Sequence, residues 1–287
     1  MRFLTWNIRF GGIGADRYEF DPAASPKNVR AVGRSLLNQD ADVIVLTEYR
    51  DAPLTGGAIK LMLEGAGYQS YVSNQDLDKN GVLIAFSESV REHYDILRSH
   101  RFVIDKEALD EIFYYRWLEL KLVSITGGAD FEVLGIHIPD VKRSEDRAVT
   151  EKSMGYKKLF WQALLRYAKD TTDKGENAVI LGDFNTGLDS VDKSPGGGSF
   201  YLSECMQALK DLADRDGRPW VDAWRKFHRK ASHVDYTWYS PGGEGFRLDY
   251  VFASPALGES VKGARCQDME RQKGQSDHAM LIADIDI

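Results

Sequence analysis

Asp42-Val43-Ile44-Val45-Leu46-Thr47-Glu48 is the stretch on which the reading of this chain turns. A short, β-branched apolar run closed at both ends by polar residues is what a strand covered on both faces looks like. A strand with one wet face would instead alternate apolar and polar residues. The run therefore predicts a sheet held between other layers, and it delivers Glu48 to the end of a strand.

Working outward, Val29, Val32 and Leu36 recur at helical spacing just before this strand,. The N-terminal segment from Arg2 to Ile8 is β-prone. Further strands are expected at residues 68–73, 81–86, 114–123, 131–137, 178–181, 236–239, 247–252 and 280–285, where β-branched and aromatic residues cluster between turn signals,. A long helix is expected over 144–169, with Tyr156, Leu159, Phe160, Ala163, Leu164 and Tyr167 on one stripe, and a shorter one over 202–212,. Many strands with a few interspersed helices point to an α/β (α+β) fold of sheets packed on one another with helices outside. No linker or low-complexity tract divides the chain, so residues 1–287 are expected to form one domain, and no internal repeat is evident,.

The 287 residues are 43% apolar, enough for a substantial core, and carry a net charge of −7. A surface of that sign does not advertise a nucleic-acid binder, so a polyanionic substrate would have to be met by a local basic patch or by bound metal. Two cysteines, Cys205 and Cys266, are too few for a disulfide framework or a cysteine metal cluster,. There is no signal-peptide pattern and no apolar run of membrane-spanning length, which leads to the expectation of a cytoplasmic protein, read as a monomer.

The polar residues at the strand ends carry the chemistry. Asn7, Glu48, His137, Asp183 with Asn185, Asp249, and Asp277 with His278 each fall at or beside the end of an expected strand. Such ends are where a rigid sheet gathers distant side chains into one site. Carboxylate and amide oxygens are hard ligands suited to Mg²⁺ or Mn²⁺. Asp249 stands inside the apolar run Leu248 to Phe252, where a charge needs a partner, and His278 is a candidate,.

Six short strings also resemble one family in its own order: Thr5-Trp6-Asn7, Leu46-Thr47-Glu48, Gly135-Ile136-His137-Ile138-Pro139, Gly182-Asp183-Phe184-Asn185, Arg247-Leu248-Asp249-Tyr250 and Ser276-Asp277-His278. The chain resembles the endonuclease/exonuclease/phosphatase superfamily, on the side of the exonuclease III-like AP endonucleases. The resemblance implies a four-layer α/β sandwich of two packed mixed β-sheets flanked by helices, and hydrolysis of phosphate esters with Mg²⁺ or Mn²⁺. It implies Glu48, Asn7 and Asp277 at the metal, and Asp183 orienting or deprotonating water with Asn185 on the phosphate. It further implies His278, paired with Asp249, at the phosphate or in proton transfer, and His137 at a phosphate or leaving oxygen. Trp238, Phe246 and Leu248 resemble the residues that surround a base-free sugar, which makes DNA, including abasic DNA, the expected partner; they read equally well as sheet core.

Two departures count against DNA and keep a lipid or small-molecule phosphate ester open as the alternative substrate. His137 stands where AP endonucleases usually carry tyrosine, and Asp140 replaces an amide. The densest basic stretch, Arg225, Lys226, Arg229 and Lys230 near Trp220 and Trp224, either tracks a nucleic-acid backbone or is a solvated helix face,.

Overall fold

The structure is a computed structural model that describes residues 1–9, 25–74, 79–99, 114–142, 144–229 and 235–287. Its strands are β1 (Arg2–Asn7), β2 (Val43–Tyr49), β3 (Gln69–Val72), β4 (Gly81–Phe86), β5 (Tyr94–Arg98), β6 (Trp117–Ser124) and β7 (Phe131–His137). They continue with β8 (Ala178–Asp183), β9 (Val221–Asp222), β10 (Trp238–Tyr239), β11 (Gly245–Phe246), β12 (Asp249–Ala253), β13 (Val261–Gln267) and β14 (Met280–Ile285). One six-stranded sheet runs β13-β14-β1-β2-β4-β3, the other β5-β6-β7-β8-β12-β9, and β10 and β11 form a separate hairpin.

Both sheets are mixed, and they repeat one plan. Each has a single parallel pair, β1/β2 and β7/β8, flanked by antiparallel neighbours in the same order,. Matching β13, β14, β1, β2, β3 and β4 to β5, β6, β7, β8, β9 and β12 preserves both spatial and chain order, apart from a circular shift. This repeat leaves no trace in the sequence because it is a repeat of strand direction and order, not of side chains.

Alternation along the strands builds the layers. Phe3, Val43, Val45, Val133, Val179, Leu181, Val251 and Leu281 meet between the sheets. Their neighbours in sequence point outward: Leu4, Trp6, Ile44 and Leu46 pack on helices Ser25–Leu37 and Gly56–Gly65, while Leu134, Ile180 and Phe252 pack on helices Arg147–Lys174 and Ser203–Asp211. The result is the expected four-layer sandwich. Gly135 lets the sheets approach at its centre, since a Cβ there would lie 2.8 Å from Val82 Cγ1 and 3.0 Å from Val45 Cγ1.

Several elements differ from expectation. The long helix begins at Arg147, not 144, because the Asp146 side chain caps it by accepting from the Ala148 N–H at 2.9 Å, and it runs on to Lys174 before Gly175 ends it in a left-handed conformation,. Residues 114–116 form a 3₁₀ turn ahead of β6. The strand expected from 247 begins only at Asp249, since the Arg247 N–H goes to the Asp192 carbonyl and the Leu248 N–H to Thr237 Oγ1. Helix Gly56–Gly65 and strands β5 and β13 were not foreseen. Cys205 and Cys266 form no disulfide.

The basic stretch is structural. Arg225 pairs with Asp192 at 2.8 Å, Lys226 donates to the carbonyls of Gly258 and Val261, and Trp220 and Trp224 are core residues; Lys230 lies outside the described residues. Beside it, buried Arg247 reaches Asp192 and clasps both oxygens of Asp222, at 3.0 and 2.6 Å. Burial alone would raise the Asp222 carboxyl, but the Arg247 guanidinium and Lys210 outweigh it and hold the group at about 2. A depressed carboxyl stabilises the fold above its unfolded pKa of about 3.9, and that stabilisation disappears as pH falls towards about 2,. We expect Asp222→Asn to destabilise the protein by about 3–5 kcal/mol in urea denaturation at neutral pH, and to flatten the acid loss of stability in that window. An unchanged urea midpoint would contradict this role for the pair.

Candidate active site

Strand alternation that fills the core also delivers the site. Continuing the inward-facing rows by one step puts Asn7 beyond Phe3 and Thr5, His137 beyond Val133 and Gly135, Asp183 beyond Val179 and Leu181, and Asp249 before Val251,. Register then aligns them: His137 sits opposite Asp183 across the parallel β7/β8 pair, and Asp183 opposite Asp249 across β8/β12. The two sheets close on one another here, with Asn7 Nδ2 donating to Asp183 Oδ2 at 2.9 Å.

Glu48 breaks the rule of alternation. After Thr47 it would point outward, but the β2/β4 register shifts between Leu46 and Tyr49, and Glu48 takes φ +51°, a left-handed conformation that a glutamate adopts at a cost of order 1–3 kcal/mol,. The bulge re-aims its carboxylate at the site, where Asn7 Nδ2 donates to it at 3.3 Å. Asn185 is also left-handed, at φ +46°, on the turn after β8. Its N–H donates to Asp183 Oδ1 and its Nδ2 to the Ile138 carbonyl, both at 2.9 Å. Gly182 makes that turn reachable, since at φ +144° a Cβ would lie 1.9 Å from the Ile136 carbonyl oxygen.

Asp277 and His278 arrive on the segment leading into β14. The Trp6 indole donates to the His278 carbonyl at 2.8 Å, and Ser276 Oγ donates to the Asn7 carbonyl at 2.6 Å. Thr237 joins this segment to β12: its carbonyl accepts from the Ala279 N–H, and its Oγ1 accepts from the Leu248 and Asp249 N–H groups. His278 Nδ1 thereby donates to Asp249 Oδ2 at 2.7 Å. Ligating atoms of Asp183, Asp249 and His278 all lie within 4.8 Å of one another.

Electrostatics divide the groups. Burial disfavours a charged His278, but Asp249 outweighs it and lifts the imidazole to about 10,. Burial, reinforced by the Asp249 charge, lifts Asp183 to about 7. Burial and the Arg116 guanidinium push His137 well below its ordinary value. Arg116 Nη1 donates to His137 Nδ1 at 3.0 Å, so the neutral ring carries its proton on Nε2, which lies 3.8 Å from Asp183 Oδ2,. Burial also raises Glu48, and the nearby Asp277 charge adds to this.

These residues fit a divalent cation. Glu48 is a desolvated carboxylate with no ion-pair partner among the described residues, next to a second carboxylate and an amide, and a hard cation relieves that repulsion,. Glu48, Asp277 and Asn7 would hold it.

The site opens into a cleft of about 1390 Å³ lined by Glu48, His137, Asp183, Asn185, Asp277 and His278. Trp238, Phe246 and Leu248 share one stretch of its wall, with Trp238 and Phe246 ring centres 5.8 Å apart and the Trp238 indole donating to Asp277 Oδ2 at 3.3 Å. Gly196 and Gly198 line it as well.

Two residues escaped the sequence reading. Arg116 carried no motif signal. Lys157 is fully buried and donates to the Asn185 carbonyl at 2.5 Å, with burial lowering its ammonium to about 8. Its signal was a lysine on the same helical stripe as Phe160, Trp161 and Leu164,.

A cation held at Glu48 would make stability respond to metal. At 100 times Kd, Mn²⁺ should stabilise the parent protein by about 2.7 kcal/mol in a thermal-shift titration. Glu48→Gln should abolish that rise while leaving the metal-free protein at least as stable, because a desolvated charge is gone. A full Mn²⁺ response in the variant would remove Glu48 from the cation site.

A model of the Endonuclease/Exonuclease/phosphatase family matches residues 4–278. A sequence comparison with curated proteins finds no match. Among solved structures, an AP endonuclease from Archaeoglobus fulgidus is similar at 21% identity and a TM-score of 0.70, covering 100% of both chains. A 3′ phosphatase from Neisseria bound to a product DNA hairpin is similar at 21% identity and 0.68, again over 100% of both chains. A humanized D. rerio TDP2 is similar at 14% identity and 0.65, over 100% of this chain and 99% of that one. At such identities the likenesses speak for the fold, while the family model spans nearly the whole chain. The chain belongs to the endonuclease/exonuclease/phosphatase family of phosphoric ester hydrolases.

Proposed function

We propose that the chain is a Mg²⁺- or Mn²⁺-dependent DNA phosphodiesterase, acting as an AP endonuclease or a 3′-exonuclease. The observation that carries this reading is a local concentration of cations. In a protein of net charge −7, the cleft around Asp183, Asp249 and His278 carries Arg50, Lys79, Arg116, Lys142 and Lys152, which balance its carboxylates Glu48, Asp140, Asp183, Glu244 and Asp277, and a divalent cation at the site would turn that balance positive. Such a patch attracts a polyanion to one place on an otherwise repelling surface. The similar structures named as an AP endonuclease and as a phosphatase bound to a DNA hairpin lend the same direction.

When bound, the divalent cation would neutralise the phosphate and lower the pKa of water. The chain's own residues divide the remaining work. Asp183, held through both oxygens by the Asn185 N–H and Asn7 Nδ2, is placed to orient a water and accept its proton,. Water oxygen bonds to phosphorus as the bond to the ester oxygen breaks, and the proton taken up by Asp183 returns through solvent to the leaving oxygen, giving a phosphomonoester and an alcohol. His278, charged through Asp249, donates to a phosphate oxygen, as does Asn185,. His137, with its proton on Nε2, faces the same space and serves a phosphate or the leaving oxygen. Trp238, Phe246 and Leu248 would enclose a base-free sugar, a lesion that is extruded from the stack at low cost,.

A lipid or small-molecule phosphate ester is the second reading, and the Asp140 charge on the cleft wall favours it, since it repels a second phosphate. Incubation with Mg²⁺ and, separately, abasic duplex DNA, linear duplex DNA, sphingomyelin and inositol phosphates distinguishes the two. We expect cleavage of DNA, reduced at least ~10²-fold by Glu48→Ala or by EDTA. Hydrolysis of the lipid or inositol substrate with DNA left intact would overturn the nuclease reading, and turnover indifferent to both treatments would overturn the metal mechanism.

A further inference from the structure

Two pairs of adjacent residues on the cleft wall are built alike. In Tyr115-Arg116 the arginine turns inward and donates to His137 Nδ1; in Tyr156-Lys157 the lysine turns inward and donates to the Asn185 carbonyl. In both, the tyrosine lines the cleft and is only half-buried. In both, an ammonium that also lines the cleft lies over the ring: Lys79 Nζ is 4.9 Å from the Tyr115 centroid, and Lys152 Nζ is 5.6 Å from that of Tyr156. Tyr115 comes from the 3₁₀ turn before β6 and Tyr156 from the helix Arg147–Lys174, so the likeness has no origin in a shared element.

A lysine over a tyrosine is an ordinary surface feature. These two are distinguished by sharing one cleft and by their attachment, one residue away, to the cations that grip His137 and Asn185. Each ring thus stands one backbone step from a residue that holds the site, with Tyr156 also packed in part against the core beneath the helix Arg147–Lys174.

We infer that Tyr115 and Tyr156 are stacking platforms for unpaired nucleobases on the strand being cut, with Lys79 and Lys152 meeting its neighbouring phosphates. Every base offers a π-face, so such platforms accept any sequence, and adjacent cations track the backbone. A base inside a duplex already has both faces covered by its neighbours. The substrate therefore presents single-stranded or frayed nucleotides around the phosphodiester, as at a melted 3′ end. This rests on the nuclease reading above.

Fluorescence anisotropy with the full chain and Mg²⁺ tests it, using a phosphorothioate-linked single-stranded oligonucleotide and the blunt duplex of the same sequence. The parent protein should bind the single strand more tightly. Tyr115→Ala and Tyr156→Ala should each weaken that binding roughly 5- to 150-fold, the range of one lost base stack, and Tyr115→Phe and Tyr156→Phe should restore it. Alanine variants that bind the single strand like the parent would overturn the inference. So would phenylalanine variants as weak as the alanine ones, because the hydroxyls would then be bonding phosphate. A parent protein that binds neither form of DNA would instead remove the nuclease reading itself.

Discussion

The Asp249 carboxylate is fully buried, and what makes that position tolerable is the imidazole of His278 at 2.7 Å. A lone charge at such a depth is disfavoured by several kcal/mol, so the pair must be delivered together, the more so because Asp249 Oδ1 finds no hydrogen-bond partner among the described residues,. The surrounding structure reads as the means of doing so. Thr237 ties the backbone of Asp249 to the segment bearing His278, Trp6 holds the His278 carbonyl, and Ser276 binds that segment to the end of β1. A charged imidazole fixed in this way sets the field in which Asp183 and Glu48 lie, lowering both against the burial that raises them.

The same economy of placement explains the backbone strain. Glu48 and Asn185 both take left-handed conformations, which a glutamate disfavours and an asparagine tolerates well, and both sit where a strand turns into the site,. An unstrained β2 would leave the Glu48 carboxylate on the outer face, among the side chains that pack on the helices. Rigid sheets on either side over-determine these two residues, with the Asn185 carbonyl further pinned by a lysine that has no exposure. Such a site is preformed, and substrate binding need not assemble it.

The layered fold was legible because short apolar runs such as Val43 to Leu46, β-branched and bounded by polar residues, read as strands with both faces covered,. Part of the candidate site was legible for a related reason: Asn7, His137, Asp183 and Asp249 each continue an inward-facing row by one step, so period-two alternation turns them inward, and strand register then sets His137, Asp183 and Asp249 side by side. What alternation cannot convey is an exception to itself. The bulge that turns Glu48, the 3₁₀ turn that presents Arg116 and the long-range grip of Lys157 on a carbonyl depend on partners far along the chain. The roles of Arg225 and Lys226 in the basic stretch were hidden for the same reason, since their partners Asp192, Gly258 and Val261 are brought to them only by folding, while Arg229 stays exposed. The likeness between the two sheets was invisible because strand direction leaves no mark in composition.

Residues from the two sheets and from the segment before β14 converge on one space, which we propose holds a divalent cation. Anomalous diffraction from a crystal soaked in Mn²⁺ locates that cation directly. The account requires a peak between the carboxylates of Glu48 and Asp277, beside Asn7 and on the cleft side of Asp183. A peak elsewhere, or none with Mn²⁺ in excess, would mean that the buried carboxylates serve another purpose and that the hydrolytic scheme drawn from them is wrong.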